Sequence, residues 1–226
     1  MSTQNGTLNG TSNDATTTPA ESGPRKLKIL MLHGYTQSGP TFNSKTKALT
    51  KLLTRQFPPT HPIYPGGIQL LYPTAPIPLL PADIPGYTPS SDPSLVPNDA
   101  FGWWKRETGG ARYAGIESGL ETIANTILSA GGIDGVIGFS QGACAAYLVA
   151  SLLEPNRESA FALQQTLSPS TALPYPQSFS NVFRREEAGC RGKRGGYGCA
   201  ILGYGEGEKF GAIYIFDQQI TAQVDA

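Results

Sequence analysis

The chain has 226 residues, enough for one domain with a sizeable buried core. Its 17 basic and 17 acidic side chains cancel, so no global field favours nucleic acid or a membrane surface as a partner. Three cysteines are too few for a disulfide framework and lack the paired spacing of a metal site. Because no apolar run resembles a signal core or a membrane span, we expect free thiols in a cytoplasmic protein. Pairing of Cys190 with Cys199 in an oxidising compartment is the alternative.

Regular structure is expected to begin abruptly near the end of a polar N-terminal segment. Residues 1–24 are rich in Thr, Ser, Asn and Gly, and such a segment buries too little surface to offset its ordering entropy, which predicts a disordered tail. The short apolar run Lys26–Leu32 is typical of a strand buried on both faces. Apolar spacing then predicts a helix over Ser44–Phe57 and a second strand over Ile68–Tyr72.

Proline dominates the next part of the chain. Twelve of the 19 prolines lie between Pro58 and Pro97, which excludes long regular elements there. Two interpretations of this irregular segment stay open: a lid or substrate-binding loop, or a mobile insertion without a role in binding.

The remaining regular elements complete an alternating pattern. A helix is predicted over Tyr113–Ala130, a strand over Ile133–Phe139 and a helix over Gln141–Leu153. Strands that alternate with helices in this way predict an α/β fold whose sheet is mostly parallel and flanked by helices.

One motif within this pattern indicates chemistry. Gly138–Gly142 matches G-x-S-x-G, directly after a predicted strand and directly before a predicted helix, which is the context of a nucleophile elbow. The turn is so sharp that glycines are required beside the serine. It lifts the Ser140 hydroxyl off the carboxyl end of the strand, while the helix N-terminus supplies N–H donors for a developing oxyanion. We therefore predict Ser140 as a catalytic nucleophile.

The turn after the first strand is expected to lie beside this elbow. In this architecture a loop there donates the second N–H of the oxyanion hole. We assign the two oxyanion donors to the backbone N–H groups of Tyr35 and Gln141. His33 as a general base is an alternative, but its place at the end of an inner strand favours an oriented structural histidine.

Three further features have a structural and a functional interpretation. Phe101–Trp104 holds both tryptophans and either lines an acyl pocket or packs in the core. His61 lies among prolines in a predicted loop, so we expect it to be solvated. Cys144 follows Ser140 by one helical turn and is interpreted as a small buried filler.

Four motifs occur in order: Lys28–Ser38, Gln69–Pro76, Phe101–Trp104 and Gly138–Gly142. Together they closely resemble the fungal serine-hydrolase family that includes the small thioesterases releasing polyketides from their synthases. The resemblance covers roughly residues 26–160.

The resemblance carries expectations about fold and activity. It implies an α/β-hydrolase fold, hydrolysis of esters or thioesters, and a Ser-Asp-His triad with Ser140 as nucleophile and Tyr35 and Gln141 at the oxyanion hole. The substrate is expected to be a small acyl ester or thioester, in some cases presented by a synthase carrier domain. No metal or organic cofactor is implied.

The C-terminal part departs from the family pattern. The family supplies its histidine from a late Gly-Gly-His turn, whereas His33 and His61 are the chain's two histidines and both precede Ser140. A glycine- and charge-rich segment from Arg184 to Gly211 precedes one predicted strand, Ala212–Phe216, and Asp217 after it faintly resembles the triad acid. We therefore expect residues 25–160 to form the hydrolase core, and 161–226 to be divergent, partly disordered and short of strands. A retained intron, a shifted frame or a truncated gene model would produce such an ending.

Three functions remain open at this point. The first is a serine hydrolase of carboxylic ester or thioester bonds, in secondary metabolism. The second is a catalytically inactive acyl-binding or interaction protein, because an unassisted serine hydroxyl is a weak nucleophile. The third is a nonfunctional fragment.

Overall fold

The computed structural model describes residues 23–84, 86, 99–107 and 113–182, together with the backbone of 198–200 and 211–215. The helices are α1 (Gly39–Lys45), α2 (Lys47–Gln56), α3 (Ile116–Ser129), α4 (Gln141–Leu152) and α5 (Arg157–Leu167). The strands are β1 (Leu27–Leu32), β2 (Ile68–Leu71), β3 (Ile77–Pro78), β4 (Phe101–Gly102), β5 (Lys105–Arg106), β6 (Tyr113–Ala114), β7 (Gly135–Phe139), β8 (Gly198–Ala200) and β9 (Gly211–Ile215). Within these ranges, no helix combines the length and the apolar character that crossing a membrane requires.

The main sheet has the strand order β2-β1-β7-β9-β8. Strand β1 pairs in parallel with β2 on one side and with β7 on the other, so the predicted parallel sheet is confirmed. Leu32 lies opposite Gly138, so β1 and β7 end at the same edge of the sheet. The residues that follow both strands are thereby brought together at this carboxyl edge.

Successive side chains of β1 point to opposite faces of the sheet, and they divide the core into two layers. Leu27, Ile29 and Met31 face a cluster that includes Phe42 of α1 and the partly buried Leu53 of α2. The opposite face of the sheet packs against α3 and α4. Its buried residues include Leu30, Leu32, Val136, Ile123, Ile127, Ala146 and Val149. The result is a three-layer α/β/α arrangement, which is why β1 is apolar at nearly every position.

The predicted helix over 44–57 is two helices in the structure. Ser38 caps α1 by accepting from the Thr41 N–H at 3.2 Å, and a proline occupies the first turn. The two helices meet at Thr46, whose hydroxyl contacts the Tyr72 hydroxyl at 2.8 Å. Helix α1 was missed because Phe42 is its only large apolar residue, so its sequence shows no helical periodicity.

Lys28 joins β1 to the end of α3. The residue is buried, and its ammonium donates to the Ala130 carbonyl at the C-cap of that helix. Replacing Lys28 with methionine keeps the aliphatic stem but removes a cation from the negative end of the helix dipole. We expect Lys28→Met to lower the free energy of unfolding by about 1 kcal/mol in urea denaturation. Lys51→Met, on the exposed surface of α2, is the control and should change it little.

The chain continues to pack against the core beyond residue 160. That predicted boundary falls inside α5, and Phe179 and Val182, in a helical stretch over 177–182, are buried in the core cluster that contains α4. Residues up to 182 therefore belong to the core, because they cover α4. Whether the sequence after them is divergent stays a prediction.

A strand was predicted at 212–216, and β9 occupies Gly211–Ile215. It pairs antiparallel with β7, so Gly211 lies opposite Phe139 and Ile215 opposite Gly135. Strand β8, which the sequence did not predict, pairs antiparallel with β9. The sheet is thus parallel over β2, β1 and β7 and antiparallel over its last two described strands.

Candidate active site

The turn between β7 and α4 is strained at Ser140. The Ser140 backbone has φ 52° and ψ −118°, and the residue is exposed at the N-cap of α4. A non-glycine residue in such a region costs roughly 1–3 kcal/mol and is found mostly at functional sites. The strand, sharp turn and helix predicted from G-x-S-x-G are therefore present.

The two glycines of the motif are required by close backbone approach. A Cβ on Gly138 would lie 2.0 Å from the Gly142 carbonyl oxygen. One on Gly142 would lie 2.1 Å from the Leu32 carbonyl oxygen and 2.5 Å from that of His33. Because backbone atoms provide all these contacts, no side-chain rearrangement would relieve them. The start of α4 is thereby pressed against the end of β1.

The second turn of the site, His33–Tyr35, lies beside the first, as predicted. A Cβ on Gly34 would lie 2.9 Å from the ring of Phe139, the residue before Ser140. Thr36, next to Tyr35, has φ 66° and is one of three described non-glycine residues with positive φ, Ser140 being another. The residues proposed as oxyanion donors therefore lie on adjoining turns, each with a strained neighbour.

His33 is a structural histidine, as the sequence favoured. It is fully buried, and its Nε2 accepts from the Ala75 N–H at 2.9 Å. Nδ1, 2.8 Å from the Gly34 carbonyl oxygen, must then carry the proton and donate it. Burial lowers the pKa of His33, although the Gly34 hydrogen bond and the charge of Asp99 oppose that shift. With both ring nitrogens engaged, His33 has no lone pair to accept a proton from Ser140.

Two minor expectations about single residues were wrong. His61 is buried rather than solvated, because its Nδ1 accepts from the Ile63 and Tyr64 N–H groups and its ring packs against Phe57. Cys144 is exposed rather than a buried filler. The buried side of α4 is formed instead by small residues such as Ala145.

The two tryptophans divide between the two interpretations of their segment. Trp103 is fully buried, its ring centroid lies 5.0 Å from that of the tilted His33 ring, and its Nε1 donates to the His33 carbonyl at 2.9 Å. It is therefore a core residue. Trp104 is only partly buried and meets the half-exposed Tyr113 edge to face, with ring centroids 6.4 Å apart. Trp104 of this segment and Tyr113 of β6 thus form an accessible aromatic surface.

Charged groups near Tyr35 were not found from the sequence. Lys105 Nζ lies 2.6 Å from Asp83, and this bond is the main cause that lowers the pKa of the Asp83 carboxyl. Burial raises the pKa of the Tyr35 phenol, and the nearby Asp83 charge adds to that shift. Asp83 and Lys105 are separated by 22 positions, so no local pattern indicates the pair.

A second carboxylate anchors the end of the proline-rich segment to α1. Asp99 accepts from the Ser38 hydroxyl at 2.6 Å and from the Thr41 hydroxyl at 2.7 Å. These hydrogen bonds lower the pKa of Asp99, with the Ser38 bond as the largest cause. Ser38 followed by a proline in the first turn is a helix-start signal that could have indicated the start of α1.

Comparison with known protein families identifies the architecture. The model of a family described as serine hydrolase (FSH1) matches residues 22–191. The chain belongs to this family. Its α/β-hydrolase fold, expected from the four motifs, is thereby confirmed.

Relatives of the chain include named esterases. Esterase OVCA2 of Xenopus tropicalis is 31% identical over 147 residues, which cover 61% of the chain and 58% of the relative. Esterase OVCA2 of Bos taurus is 34% identical over 136 residues, with 56% and 55% covered. Family of serine hydrolases 3 of Saccharomyces cerevisiae is 30% identical over 176 residues, with 71% and 61% covered. The chain thus spans about three fifths of the length of these three relatives.

The acid of the expected Ser-Asp-His triad is not located by the described residues. Asp217, which faintly resembled it, lies outside them. The strand that leads toward it, β9, ends beside Gly135 at the amino edge of the sheet, whereas Ser140 follows the opposite edge. Gly135, beside the end of β9, and Phe139, directly before Ser140, are four residues apart on β7. The end of β9 therefore lies about 13 Å along the strand from the Ser140 end of the sheet. Among the described residues, no three His, Cys, Asp or Glu side chains are grouped to hold a metal ion.

Proposed function

We propose that the protein hydrolyses carboxylic ester or thioester bonds of small acyl substrates, with Ser140 as nucleophile. The observation that carries the proposal is the strained, exposed Ser140 between β7 and α4, held by two glycines that admit no side chain. Strain of this kind persists only where the surrounding structure fixes it. Membership in the FSH1 family and the esterase names of the relatives support the same reaction.

In the proposed reaction the Ser140 hydroxyl oxygen attacks the acyl carbon while its proton passes to a base. The carbonyl oxygen becomes an oxyanion and accepts hydrogen bonds from the Tyr35 and Gln141 N–H groups, aided by the positive end of the α4 dipole. Collapse of this intermediate breaks the bond to the leaving group, which takes the proton held by the base and departs as the alcohol or thiol, so that the acyl group stays on Ser140. Water then gives a proton to the base and attacks the acyl-enzyme, and collapse of the second oxyanion returns that proton to Ser140 and releases the acid.

An aromatic surface supports a substrate with an apolar acyl group. Trp104 lies on the segment that contacts the Gln141 turn, Tyr113 of β6 packs against its ring, and both side chains are partly accessible. Aromatic side chains provide rigid apolar surface for such a group. We extend the proposal to thioesters presented by a synthase carrier domain in secondary metabolism, and to a cytoplasmic protein with free thiols.

A second function is favoured by one specific observation: the sequence has two histidines, and neither is identified as a base for Ser140. His33 and His61 are the two histidines of the 226-residue sequence, and His33 has both nitrogens engaged. Loss of the base in a well-studied serine protease lowers turnover on the order of 10⁶-fold. The alternative is therefore a protein that binds acyl groups at Ser140 with little turnover.

Labelling with a fluorophosphonate separates the two functions. The native chain and Ser140→Ala are each incubated with the probe, with and without added imidazole as an external base. We expect the native chain to be labelled in imidazole at least about 100-fold faster than Ser140→Ala, because the oxyanion donors and the nucleophile are present.

The imidazole dependence then assigns the function. Fast labelling without imidazole means that another group of the chain acts as the base, which supports the hydrolase. Labelling that requires imidazole supports the acyl-binding alternative. No labelling of a cooperatively folded native chain under either condition contradicts Ser140 as a nucleophile.

A further inference from the structure

The segment 101–104, called here the bridging segment, contacts the turns that bear both proposed oxyanion donors. On one side it is held by a side chain. The Gln141 Oε1 accepts from the Trp103 N–H at 2.9 Å, and the Gln141 Nε2 donates to the Trp104 carbonyl at 2.8 Å. The amide thus binds one donor and one acceptor of the bridging segment, as a paired strand would.

On the other side the bridging segment is held by the turn after β1. The Thr36 N–H donates to the Phe101 carbonyl at 3.0 Å, and the Phe101 N–H donates to the Gln37 carbonyl at 3.1 Å. The Tyr35 ring lies against Gly102, where an added Cβ would come within 2.8 Å of Tyr35 Cε2. Tyr35 and the two residues after it are therefore fixed to the same four-residue segment that Gln141 holds.

The bridging segment also makes contacts with α3 and with His33 that do not involve Gln141. Helix α3 approaches it so closely that a Cβ on Gly119 would lie 2.4 Å from the Trp103 carbonyl oxygen. The Trp103 indole donates to the His33 carbonyl and is fully buried. Loss of the Gln141 side-chain bonds should consequently leave the segment in place and free the first turn of α4 relative to it.

We propose that the side chain of Gln141 is a positioning residue that sets the separation between the Tyr35 and Gln141 N–H groups. The inference rests on the proposed function. Oxyanion donors act at about 2.7–3.1 Å from the position that the oxyanion occupies. A misplacement of about 1 Å in an active site lowers the rate on the order of 100-fold, whereas ground-state binding of an acyl group depends much less on these donors.

The test compares two Gln141 variants in imidazole. Gln141→Met has similar length but makes neither side-chain hydrogen bond, and Gln141→Glu retains the acceptor but loses the donor to the Trp104 carbonyl. Fluorophosphonate labelling is resolved into the probe affinity and the maximal rate. We expect the maximal rate to fall 10- to 100-fold in Gln141→Met and by at least as much in Gln141→Glu, because the second carboxylate oxygen can only accept and would face the Trp104 carbonyl oxygen. Probe affinities should stay within about twofold of native.

A second measurement does not require reactivity. The Tyr35 amide resonance and its hydrogen exchange are compared in the native chain and in Gln141→Met. We expect the Tyr35 amide to shift and to exchange faster, although Gln141 is distant from it in sequence. Lys28→Met, a mildly destabilised variant at the opposite edge of the sheet, is the control and should leave both the Tyr35 amide and the labelling rate as in the native chain.

The outcomes of the two measurements are distinguishable. Native labelling that persists unchanged in Gln141→Met overturns the positioning role. If the native chain itself does not label in imidazole, the proposed function fails, and the Tyr35 amide alone decides whether Gln141 couples the two turns. An unchanged Tyr35 amide in Gln141→Met then overturns the inference.

Discussion

Replacing Gly138 with alanine is expected to lower the free energy of unfolding by about 4 kcal/mol or more, or to prevent folding. The new methyl group would lie 2.0 Å from the Gly142 carbonyl oxygen and 2.6 Å from the Ala143 nitrogen. All of these atoms belong to the backbone at the start of α4, which is itself pressed against the end of β1. The helix would have to move away from the sheet. Urea denaturation monitored by circular dichroism measures the change.

Gly23→Ala is the matched control for this substitution. It adds the same methyl group where no atom lies within 4 Å and where the glycine does not need a positive φ. We expect it to change the free energy of unfolding by less than about 0.5 kcal/mol. A Gly138→Ala variant that unfolds within about 1 kcal/mol of the native chain would contradict the tight elbow described above.

Acidification from pH 7 to pH 5 is expected to destabilise the protein through His33. Burial lowers the pKa of His33 from its ordinary value of 6.5, so the folded state binds a proton less readily than the unfolded state. The contribution of the neutral, buried His33 to the free energy of unfolding is fully present above pH 6.5. It is lost as the pH falls toward the lowered pKa of the folded state, because the unfolded state then takes up a proton more readily. The slope of the free energy of unfolding for this group is positive in that window and cannot exceed about 1.4 kcal/mol per pH unit.

The His33→Gln variant tests the assignment. Its amide oxygen can accept from the Ala75 N–H as Nε2 does, but the side chain has no proton to gain in this range. We expect the native chain to lose stability more steeply than the variant between pH 6.5 and pH 5 in urea denaturation. Equal slopes would show that His33 does not titrate on unfolding. Asp99 is a separate case, because its lowered pKa affects stability only as the pH falls through and below its ordinary value of 3.8.

The parts of the site that the sequence predicted correctly are those determined by local patterns. β1 and β7 are apolar runs, and Gly138–Gly142 follows β7 directly, so strand, turn and helix could be placed from neighbouring residues alone. The proximity of His33 to this turn followed from the rule that parallel strands end at one edge. His33 could be interpreted as structural for the same reason.

The parts that were missed depend on contacts between distant positions. Asp83 and Lys105 lie 22 positions apart, and Ser38 lies 61 positions from Asp99. The burial of His61 follows from packing between Phe57 and Tyr64, which a predicted loop does not reveal. The antiparallel direction of β9 relative to β7 could not be predicted either, because an apolar strand has the same sequence pattern beside a parallel and an antiparallel partner.

The burial of both histidines changes what a common chemical test means for this protein. His33 is fully enclosed and His61 is 8% exposed, so a histidine-directed acylating reagent has little access to either ring while the fold is intact. Modification of these imidazoles, followed by mass spectrometry, therefore reports opening of the sheet–helix core. Inactivation by such a reagent, ordinarily taken as the signature of a catalytic histidine, would here record unfolding.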